Sequence, residues 1–314
     1  MGTDTISQSP PTAVSGIAAT YKSRELEGIV DLLFYRKVGF LLAHFFARLR
    51  FTPTAVTIVG GVFGVVAGHF YFYRSVFLNL IGMVFHVVAN IFDNADGQLA
   101  RLTNQQSRTG RILDPVIDHI IWLSIYVNLA LRLQLEGFSE AIWILAVVAG
   151  LSHGAQAAAA DYWRHAYLYF GKRRGELDSA STIKQEYRRY SWSAGGWLKI
   201  LLALYLNVTR EQEFLLPGLK RLHEGVGPVS AERISDWFQS RYAALVRPTF
   251  KWWGLLMTNS RMLLLFALFL VRQPVWFFWV EITAGNLLLL LLILQQQRIS
   301  ESLTDLLTTQ SECA

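Results

Sequence analysis

Four aspartates lie close together near the middle of the chain and could do chemistry jointly. They are Asp93, Asp96, Asp114 and Asp118. The first two are three residues apart and the last two are four residues apart. On two helices, each pair would therefore project from one face. Two such faces turned toward each other would form a cage of carboxylates.

Carboxylates held this close repel one another unless cations neutralise them. Ligation by carboxylates alone favours a hard divalent ion such as Mg²⁺ or Mn²⁺, which also bridges phosphate oxygens. Gly97 and Ala100 keep this face small where a phosphate would approach. Arg101 offers a fork-shaped positive charge for a diphosphate. We therefore expect metal-dependent diphosphate chemistry and not a solvated turn with incidental acids.

The complete spacing of this segment is a known signature. It runs Asp, two residues, Asp-Gly, two residues, Ala-Arg, eight residues, Gly, three residues, Asp, three residues, Asp. Its positions in the chain are Asp93, Asp96, Gly97, Ala100, Arg101, Gly110, Asp114 and Asp118. Such a pattern arises by chance in about one sequence in 10⁷. The segment resembles the CDP-alcohol phosphotransferase (CDP-alcohol phosphatidyltransferase) family, and we expect the resemblance to extend over residues 20–295.

The resemblance implies a reaction in which an alcohol attacks the phosphorus of a CDP-alcohol and CMP leaves. By the family's pattern Asp93, Asp96 and Asp114 would bind metal, with two ions of Mg²⁺ or Mn²⁺. Asp118 would touch the second ion and act as general base. The positions implied to bind CDP are Asp93, Asp96, Gly97, Ala100, Arg101 and Gly110. The resemblance also implies a homodimer with lipid substrates, and we expect no nucleic-acid partner.

The elements that must position these residues are membrane helices. Hydrophobic residues make up 53% of the 314 residues and charged residues 17%, which is typical of a membrane protein. Stretches near the ~20 apolar residues that cross a bilayer lie at about 54–73, 75–92, 112–131, 140–160, 252–271 and 275–295. The fold class is therefore all-α, a polytopic membrane protein with six transmembrane helices.

The distribution of Lys and Arg predicts the orientation. If both termini are cytoplasmic, the outer loops hold only Arg74, Arg132 and Arg272 of the 29 Lys and Arg residues. The aspartate segment would then occupy the cytoplasmic turn between spans two and three, where soluble nucleotides are found. We predict an integral multi-pass protein with its active site at the cytoplasmic face.

The remaining polar segments complete the predicted domain organisation. Residues 21–50 mix basic and apolar side chains as an interfacial helix does. The predicted parts are a disordered tail at 1–20, an interfacial amphipathic helix at 21–50, catalytic spans one to four at 51–170, a polar, partly helical cytoplasmic insertion at 171–251, spans five and six at 252–297, and a cytoplasmic tail at 298–314.

Polar residues inside the spans have two interpretations each. Arg261 would lie within the membrane in reach of Glu281 as a structural pair, or would extend to the interface if span five began later. His86 and Asn90 precede Asp93 on roughly one face, where they could line the acceptor's path or form interhelical hydrogen bonds.

Three arginines could bind the phosphate of an acceptor, namely Arg108, Arg111 and Arg164. Simple charge balance, or the usual excess of positive residues on the cytoplasmic side, would also explain their presence. Pro53 and Thr57 match a family pattern near the cytidine in which Thr54 replaces the usual Asn. A helix-initiating Pro with a capping Thr is the alternative explanation.

The substrates are less clearly indicated than the reaction. Thr103, Asn104 and Ser107 are similar to the choline and ethanolamine phosphotransferases, which use diacylglycerol as acceptor. Pro115 and His119 are nearer to members that use CDP-diacylglycerol with inositol phosphate or glycerol phosphate, and this is the choice we favour. The competing functional classes are a divalent metal transporter and a non-catalytic membrane scaffold. A transporter would need its acids at the membrane midplane with access from both sides.

Overall fold

The computed structural model describes residues 25–227 and 230–312, and these ranges are helical. The predicted tail at 1–20 lies outside the described residues. The α-helices are α1 (Arg36–Arg48), α2 (Pro53–Tyr71), α3 (Val76–Leu102), α4 (Arg108–Leu135), α5 (Ala141–Ala166), α6 (Ala180–Arg189), α7 (Trp192–Leu215), α8 (Pro217–Val226), α9 (Asp236–Val246), α10 (Phe250–Leu255), α11 (Thr258–Leu270), α12 (Val275–Val280) and α13 (Asn286–Glu312).

Six helical stretches are long and apolar enough to cross a membrane, as expected. They are Pro53–Tyr71, Val76–Leu102, Arg108–Leu135, Ala141–Gly171, Asp236–Leu270 and Val275–Leu307. A π-helical turn extends α5 to Gly171, a 3-10 turn joins α9 to α10, and a π-helical turn joins α12 to α13. The all-helical, six-span architecture is consistent with an integral multi-pass membrane protein.

The helix that bears the first two aspartates continues beyond the apolar residues. The apolar stretch ends at 92, yet α3 runs on to Leu102, and α4 begins at Arg108. The prediction that the aspartate segment occupies a turn was therefore wrong in its extent, because only residues 103–107 connect the two helices. Hydropathy detects the part of a helix that lipid covers, whereas backbone hydrogen bonds continue through a polar end.

Close packing of α2 against α3 and α4 brings the two aspartate-bearing helices together. Gly68 of α2 lies against the backbone of α4, where a Cβ atom would lie 2.5 Å from Ser124 Oγ and 3.0 Å from Ile125 N. Gly64, one turn earlier, faces the Ile121 side chain in the same way. Small residues at such positions let membrane helices approach closely. The packing of α2 therefore fixes the distance between α3 and α4.

The second half of the bundle encloses a buried polar network. Arg261 Nη1 lies 3.5 Å from Glu281 Oε2, and both side chains are only 4% exposed. Arg261 Nη2 also donates to Gln156 Oε1 at 2.9 Å. The predicted intramembrane Arg–Glu pair is confirmed, and Arg261 does not extend to an interface. Burial requires such a charge to be paired because an isolated one would cost several kcal/mol.

One arginine lies elsewhere than predicted. Arg132, expected in an outer loop, is in the last turn of α4 and is buried. Its guanidinium donates to Asn79 Oδ1 at 2.9 Å and to Glu136 Oε1 at 2.9 Å. Hydropathy placed the end of span three at 131, but these partners keep the last turn helical and cover its charge.

The segment predicted as the insertion folds against the end of the bundle that contains the aspartates. The side of the membrane on which α3 ends and α4 begins is called the motif side below. There α6 and α7 pack on Ile112 of α4 through Ile183, Leu202 and Leu206. A larger aromatic cluster joins the end of α5 to α8, α9, α10 and α13 around Trp163. The motif side therefore carries a layer of helices outside the spans.

Candidate active site at the ends of α3 and α4

Three of the four aspartates meet in one cluster. Asp93 and Asp96 of α3 and Asp114 of α4 each offer a carboxylate oxygen, and these oxygens all lie within 4.8 Å of one another. Asp96 is buried at 6% exposure, and Asp93 is partly exposed. Packing of both α3 and α4 against α2 therefore turns the two helix faces toward each other, as their spacing predicts.

Asp96 also receives a hydrogen bond from the first span. The Thr57 hydroxyl lies 2.5 Å from Asp96 Oδ2. The cap of α2 is Thr52, whose side chain accepts from the Ala55 backbone N–H, and Pro53 begins the helix. The alternative explanation is therefore confirmed for Pro53 as the first residue of the helix, but the capping threonine is Thr52 and not Thr57. Thr57 orients the most buried carboxylate, a role that only the contact between α2 and α3 reveals.

Asp118 belongs to the same open pocket. It lies one turn beyond Asp114 on α4 and within electrostatic reach of Asp93 and Asp96. The pocket is lined by Thr57, Gly60, Gly61, His86, Ala89, Asn90, Asp93, Asp96, Asp114, Ile117, Asp118, Ile121, Trp122 and Thr258. One wall is acidic and the opposite walls are largely apolar. This combination suits a charged reacting group attached to a lipid or other apolar body.

The interhelical hydrogen bonds expected of His86 and Asn90 are confirmed. The two residues line the pocket, and each also forms an interhelical hydrogen bond. His86 Nδ1 lies 3.2 Å from the Tyr71 hydroxyl, and Asn90 donates to Asn259 Oδ1 at 2.7 Å. Asn259 in turn donates to Asp31 Oδ1 at 2.6 Å. Burial raises the pKa of the Asp31 carboxyl, although the hydrogen bond from Asn259 opposes this change.

Gly97 and Arg101 form an open cradle beside the aspartates. A Cβ atom at Gly97 would be 3.5 Å from Arg101 Nη2, an ordinary contact, so packing within the protein does not require a glycine there. Arg101 Nε is buried and has no hydrogen-bond partner. A buried guanidinium nitrogen with no hydrogen-bond partner among the described residues, beside a glycine, fits an anion such as a diphosphate. Ala100, the neighbouring signature position, is partly buried on α3.

Gly110 and the residues before it build the connection between α3 and α4. Ser107 is the N-cap of α4, and its Oγ accepts from the Gly110 backbone N–H at 3.0 Å. A Cβ atom at Gly110 would lie 3.1 Å from the same oxygen. Asn104 adopts a left-handed conformation with φ 55°. These residues therefore have structural duties in the turn and the helix cap.

The three arginines proposed for an acceptor's phosphate have different surroundings. Arg108 Nε donates to Glu186 at 2.8 Å, and its Nη1 donates to Asp178 at 3.3 Å. Arg111 donates to Glu176 at 2.9 Å and is more exposed. Acidic residues of the predicted insertion thus already occupy Arg108 and Arg111. This pairing could not be foreseen because it joins residues about 70 positions apart.

A tyrosine completes the Arg108 network. The Tyr205 hydroxyl of α7 donates to Asp178 Oδ2 at 2.8 Å. Burial and the nearby Asp178 carboxylate raise the pKa of Tyr205, so the phenol remains a donor at neutral pH. The network connects the start of α4 to both α6 and α7. It holds the end of the aspartate-bearing helix against the outer layer.

We predict that the Arg108–Glu186 pair contributes to stability. Arg108→Glu should lower the free energy of unfolding by about 1–3 kcal/mol, because the partly buried carboxylates of Asp178 and Glu186 would then face a third carboxylate. Adding Glu186→Arg should restore much of the loss. The melting temperature of the purified protein measures both effects. The control is the exposed pair Arg111 and Glu176. Reversing the charge of one of these two residues should lower the free energy of unfolding by about 1 kcal/mol or less. Equal losses at the two pairs would contradict the assignment.

Arg164 differs from the other two candidates. It is partly buried near the end of α5 and forms no hydrogen bond or ion pair with the residues that the structure describes. Its positive charge acts on Asp118. Among the three arginines proposed for the acceptor, Arg164 is therefore the one still available to an anion near the pocket.

The donor set fits a hard divalent cation. Three carboxylates converge, Asp96 is buried among them, and the nearby ligands are oxygens. Such a group of negative charges is unstable without a counterion, and Mg²⁺ or Mn²⁺ is the ion that oxygen ligands of this kind select. The structure brings Asp93, Asp96 and Asp114 together as one group that could hold a metal ion, and Asp118 lines the same pocket.

Comparison with known proteins agrees with this chemistry. Residues 50–176 match the family model described as CDP-alcohol phosphatidyltransferase, a shorter range than the 20–295 expected. No curated protein matches the chain. The matched range begins just before α2 and ends after α5, and it contains all four aspartates. Over residues 50–176 the chain is similar to the CDP-alcohol phosphatidyltransferase family, whose members are metal-dependent transferases of phospholipid synthesis that move a substituted phosphate group from a CDP-alcohol.

Proposed function

We propose that the protein transfers a phosphatidyl group from CDP-diacylglycerol to a small phosphorylated alcohol and releases CMP. Inositol phosphate and glycerol phosphate are the acceptors with suitable chemistry. The observation that supports this choice is Arg164, whose charge acts on Asp118 and whose guanidinium has no hydrogen bond or ion pair with the described residues. An acceptor that placed its phosphate on Arg164 would bring its hydroxyl toward the Asp118 carboxylate.

Each residue of the signature has a distinct proposed role. Asp93, Asp96 and Asp114 hold the cations, and Arg101 binds the diphosphate over Gly97. Two bound Mg²⁺ or Mn²⁺ ions would neutralise the diphosphate and stabilise the charge on the departing CMP. Asp118 takes the proton of the acceptor hydroxyl as its oxygen bonds to phosphorus and the bond to CMP breaks. Ala100 and Gly110 complete the CDP site.

The resemblance to choline and ethanolamine phosphotransferases has less support. It depends on Thr103, Asn104 and Ser107, and each of these residues has a local structural role in the connection between α3 and α4. Thr103 follows the last residue of α3, Asn104 takes the left-handed turn conformation, and Ser107 caps α4. Any chain with this short connection would favour such residues. The family match also favours an enzyme over the metal transporter and the scaffold.

The decisive experiment is measurement of CMP release by the purified protein in lipid nanodiscs with Mg²⁺. Donors should include CDP-diacylglycerol, CDP-choline and CDP-ethanolamine. Acceptors should include inositol phosphate, glycerol phosphate, their unphosphorylated alcohols and diacylglycerol. We expect CMP only from CDP-diacylglycerol with a phosphorylated acceptor, and only with a divalent cation. Release from CDP-choline with diacylglycerol would overturn the substrates, and no release from any pair would overturn the enzyme.

We predict that Arg164→Gln raises the KM for the phosphorylated acceptor by about 10-fold or more, because a charged hydrogen bond is worth about 1.5–3 kcal/mol. The KM for CDP-diacylglycerol should stay unchanged. Arg210→Gln is the matched control, since Arg210 is exposed on α7. A rise in both KM values, or in neither, would contradict the assignment of Arg164 to the acceptor.

We propose that the motif side is the cytoplasmic side, with both termini there, and that the protein is a homodimer. The support for the orientation is the small number of basic residues in the loops on the opposite side. The chain has one cysteine, Cys313, so a membrane-impermeant maleimide tests the orientation directly. In vesicles with the cellular orientation, Cys313 should be labelled only after permeabilisation. Labelling of Cys313 without permeabilisation would contradict the proposed topology. A mass measurement that shows a monomer would contradict the proposed homodimer.

A further inference from the structure

Helix α7 presents an apolar stripe that is exposed among the residues that the structure describes. Trp197, Ile200 and Leu204 are 62%, 52% and 44% exposed. Their spacing of three and four residues places them on one face of the helix. A soluble helix usually turns such residues inward. The stripe therefore requires an apolar environment outside the chain.

The contacts of the opposite face of α7 indicate its position along the membrane normal. Leu202 and Leu206 pack against Ile112, in the second turn of α4. Ile120, about two turns further along α4, is 46% exposed, and Leu123 is 62% exposed, as lipid-facing residues of a span are. About 12 Å of helix separates Ile112 from Ile120 at 1.5 Å per residue. Helix α7 thus lies where span three enters the membrane.

The polarity along α7 shows which part meets lipid. After Leu204 the same face continues with Asn207 and Glu211, both exposed and polar, and then with Phe214, which is 82% exposed. Gln212, near the end of the helix, donates to Asp161 Oδ2 of α5 at 3.3 Å. The apolar stripe is therefore continuous only in the first half of α7, because Asn207 and Glu211 interrupt it before Phe214.

The surroundings of the stripe carry positive charge. Lys184, Arg188 and Arg189 are exposed on the neighbouring helix α6. Lys199 of α7 donates to the Tyr190 carbonyl at 2.9 Å and lies 4.8 Å from the centre of the Tyr187 ring. Basic residues and aromatic rings beside an apolar stripe are typical of helices that lie in the headgroup region.

We propose that the first half of α7 lies in the membrane interface and inserts Trp197, Ile200 and Leu204 into the lipid beside the start of α4. The partner is a lipid surface, with anionic headgroups matching the exposed basic residues of α6. A second copy of the chain is a poorer match, because stable interfaces bury about 800 Å² per partner, more than three partly exposed side chains can supply. The layer of α6 and α7 is thereby anchored at the membrane on the motif side.

Site-directed spin labelling of the full chain tests this proposal. In a Cys313→Ser background, single cysteines at Ile200 and Leu204 receive a nitroxide, and the protein is placed in nanodiscs of phosphatidylcholine with phosphatidylglycerol. Collision with oxygen, which concentrates in lipid, is compared with collision with a water-soluble nickel complex. Leu123→Cys provides the lipid-facing reference, and Glu211→Cys provides the water-facing reference on the same face of α7.

We expect the oxygen-to-nickel accessibility ratio at Ile200→Cys and Leu204→Cys to be severalfold above that at Glu211→Cys and close to that at Leu123→Cys. Ratios equal to that at Glu211→Cys would place the stripe in water and overturn the proposal. Protection from both reagents together with dipolar broadening between labels would show that a second copy covers the stripe, which would also overturn it.

Discussion

Replacing Asp118 with Asn is expected to lower CMP release by about 10²- to 10⁴-fold, the usual contribution of a general base. The amide keeps an oxygen in the pocket but cannot take a proton from the acceptor. CDP-alcohol and metal binding should therefore persist, and binding of Mn²⁺ and of radiolabelled CDP-diacylglycerol measures them. Loss of turnover with retained binding separates the proposed base from the three aspartates that form the metal cluster.

The control for this substitution is Asp161→Asn. Asp161 lies within electrostatic reach of Asp118 but does not line the pocket, so the variant removes a nearby charge without removing the proposed base. Turnover should change little. If Asp118→Asn retained turnover, the base assignment would be wrong. If it lost Mn²⁺ binding in proportion to turnover, Asp118 would be a ligand alone.

Replacing Glu281 with Gln is expected to destabilise the protein by about 3–5 kcal/mol, the usual effect of breaking a buried ion pair. The substitution leaves Arg261 charged, 4% exposed and without its carboxylate. The remaining bonds from Arg261, to Gln156 and to the His153 carbonyl, donate to neutral acceptors and cannot compensate its charge. The melting temperature in detergent should fall markedly.

Two variants test the origin of that loss. Glu301→Gln removes the carboxylate of the exposed Arg221–Glu301 pair and should cost about 1 kcal/mol or less. The double variant Arg261→Met with Glu281→Leu removes both charges and should recover most of the stability, because the cost comes from one uncompensated charge. A Glu281→Gln loss no larger than that of Glu301→Gln would show that the pair contributes little.

The aspartate positions were predictable because helical geometry is local. Residues three and four apart share a face whatever the rest of the chain does, so Asp93 and Asp96 could be placed together from their spacing. The six apolar stretches were predictable because lipid imposes a minimum length on a spanning helix. The ends of α3 and α4 were not predictable to the residue, because hydropathy reports burial in lipid and not the continuation of backbone hydrogen bonds.

Side-chain partners across the bundle were predictable only where the membrane leaves few choices. Arg261 could be assigned to Glu281 because a charge within a span requires a partner and few candidates lie at the same depth. At the aqueous boundary no such restriction exists. Arg108 could bind a substrate phosphate or a carboxylate of the chain, and its actual partners lie in a polar segment about 70 residues away.

The sequence by itself indicated the membrane architecture through hydropathy and placed the four carboxylates by local spacing, and the resemblance of that spacing to a known family implied the reaction class. The tertiary structure decided that Thr57 orients Asp96, and that Arg108 is paired while Arg164 has no such partner among the described residues. It also decided that α7 exposes an apolar stripe at the membrane boundary. These properties depend on which helices pack together, and packing of distant segments is set by the whole chain's burial and not by any local pattern.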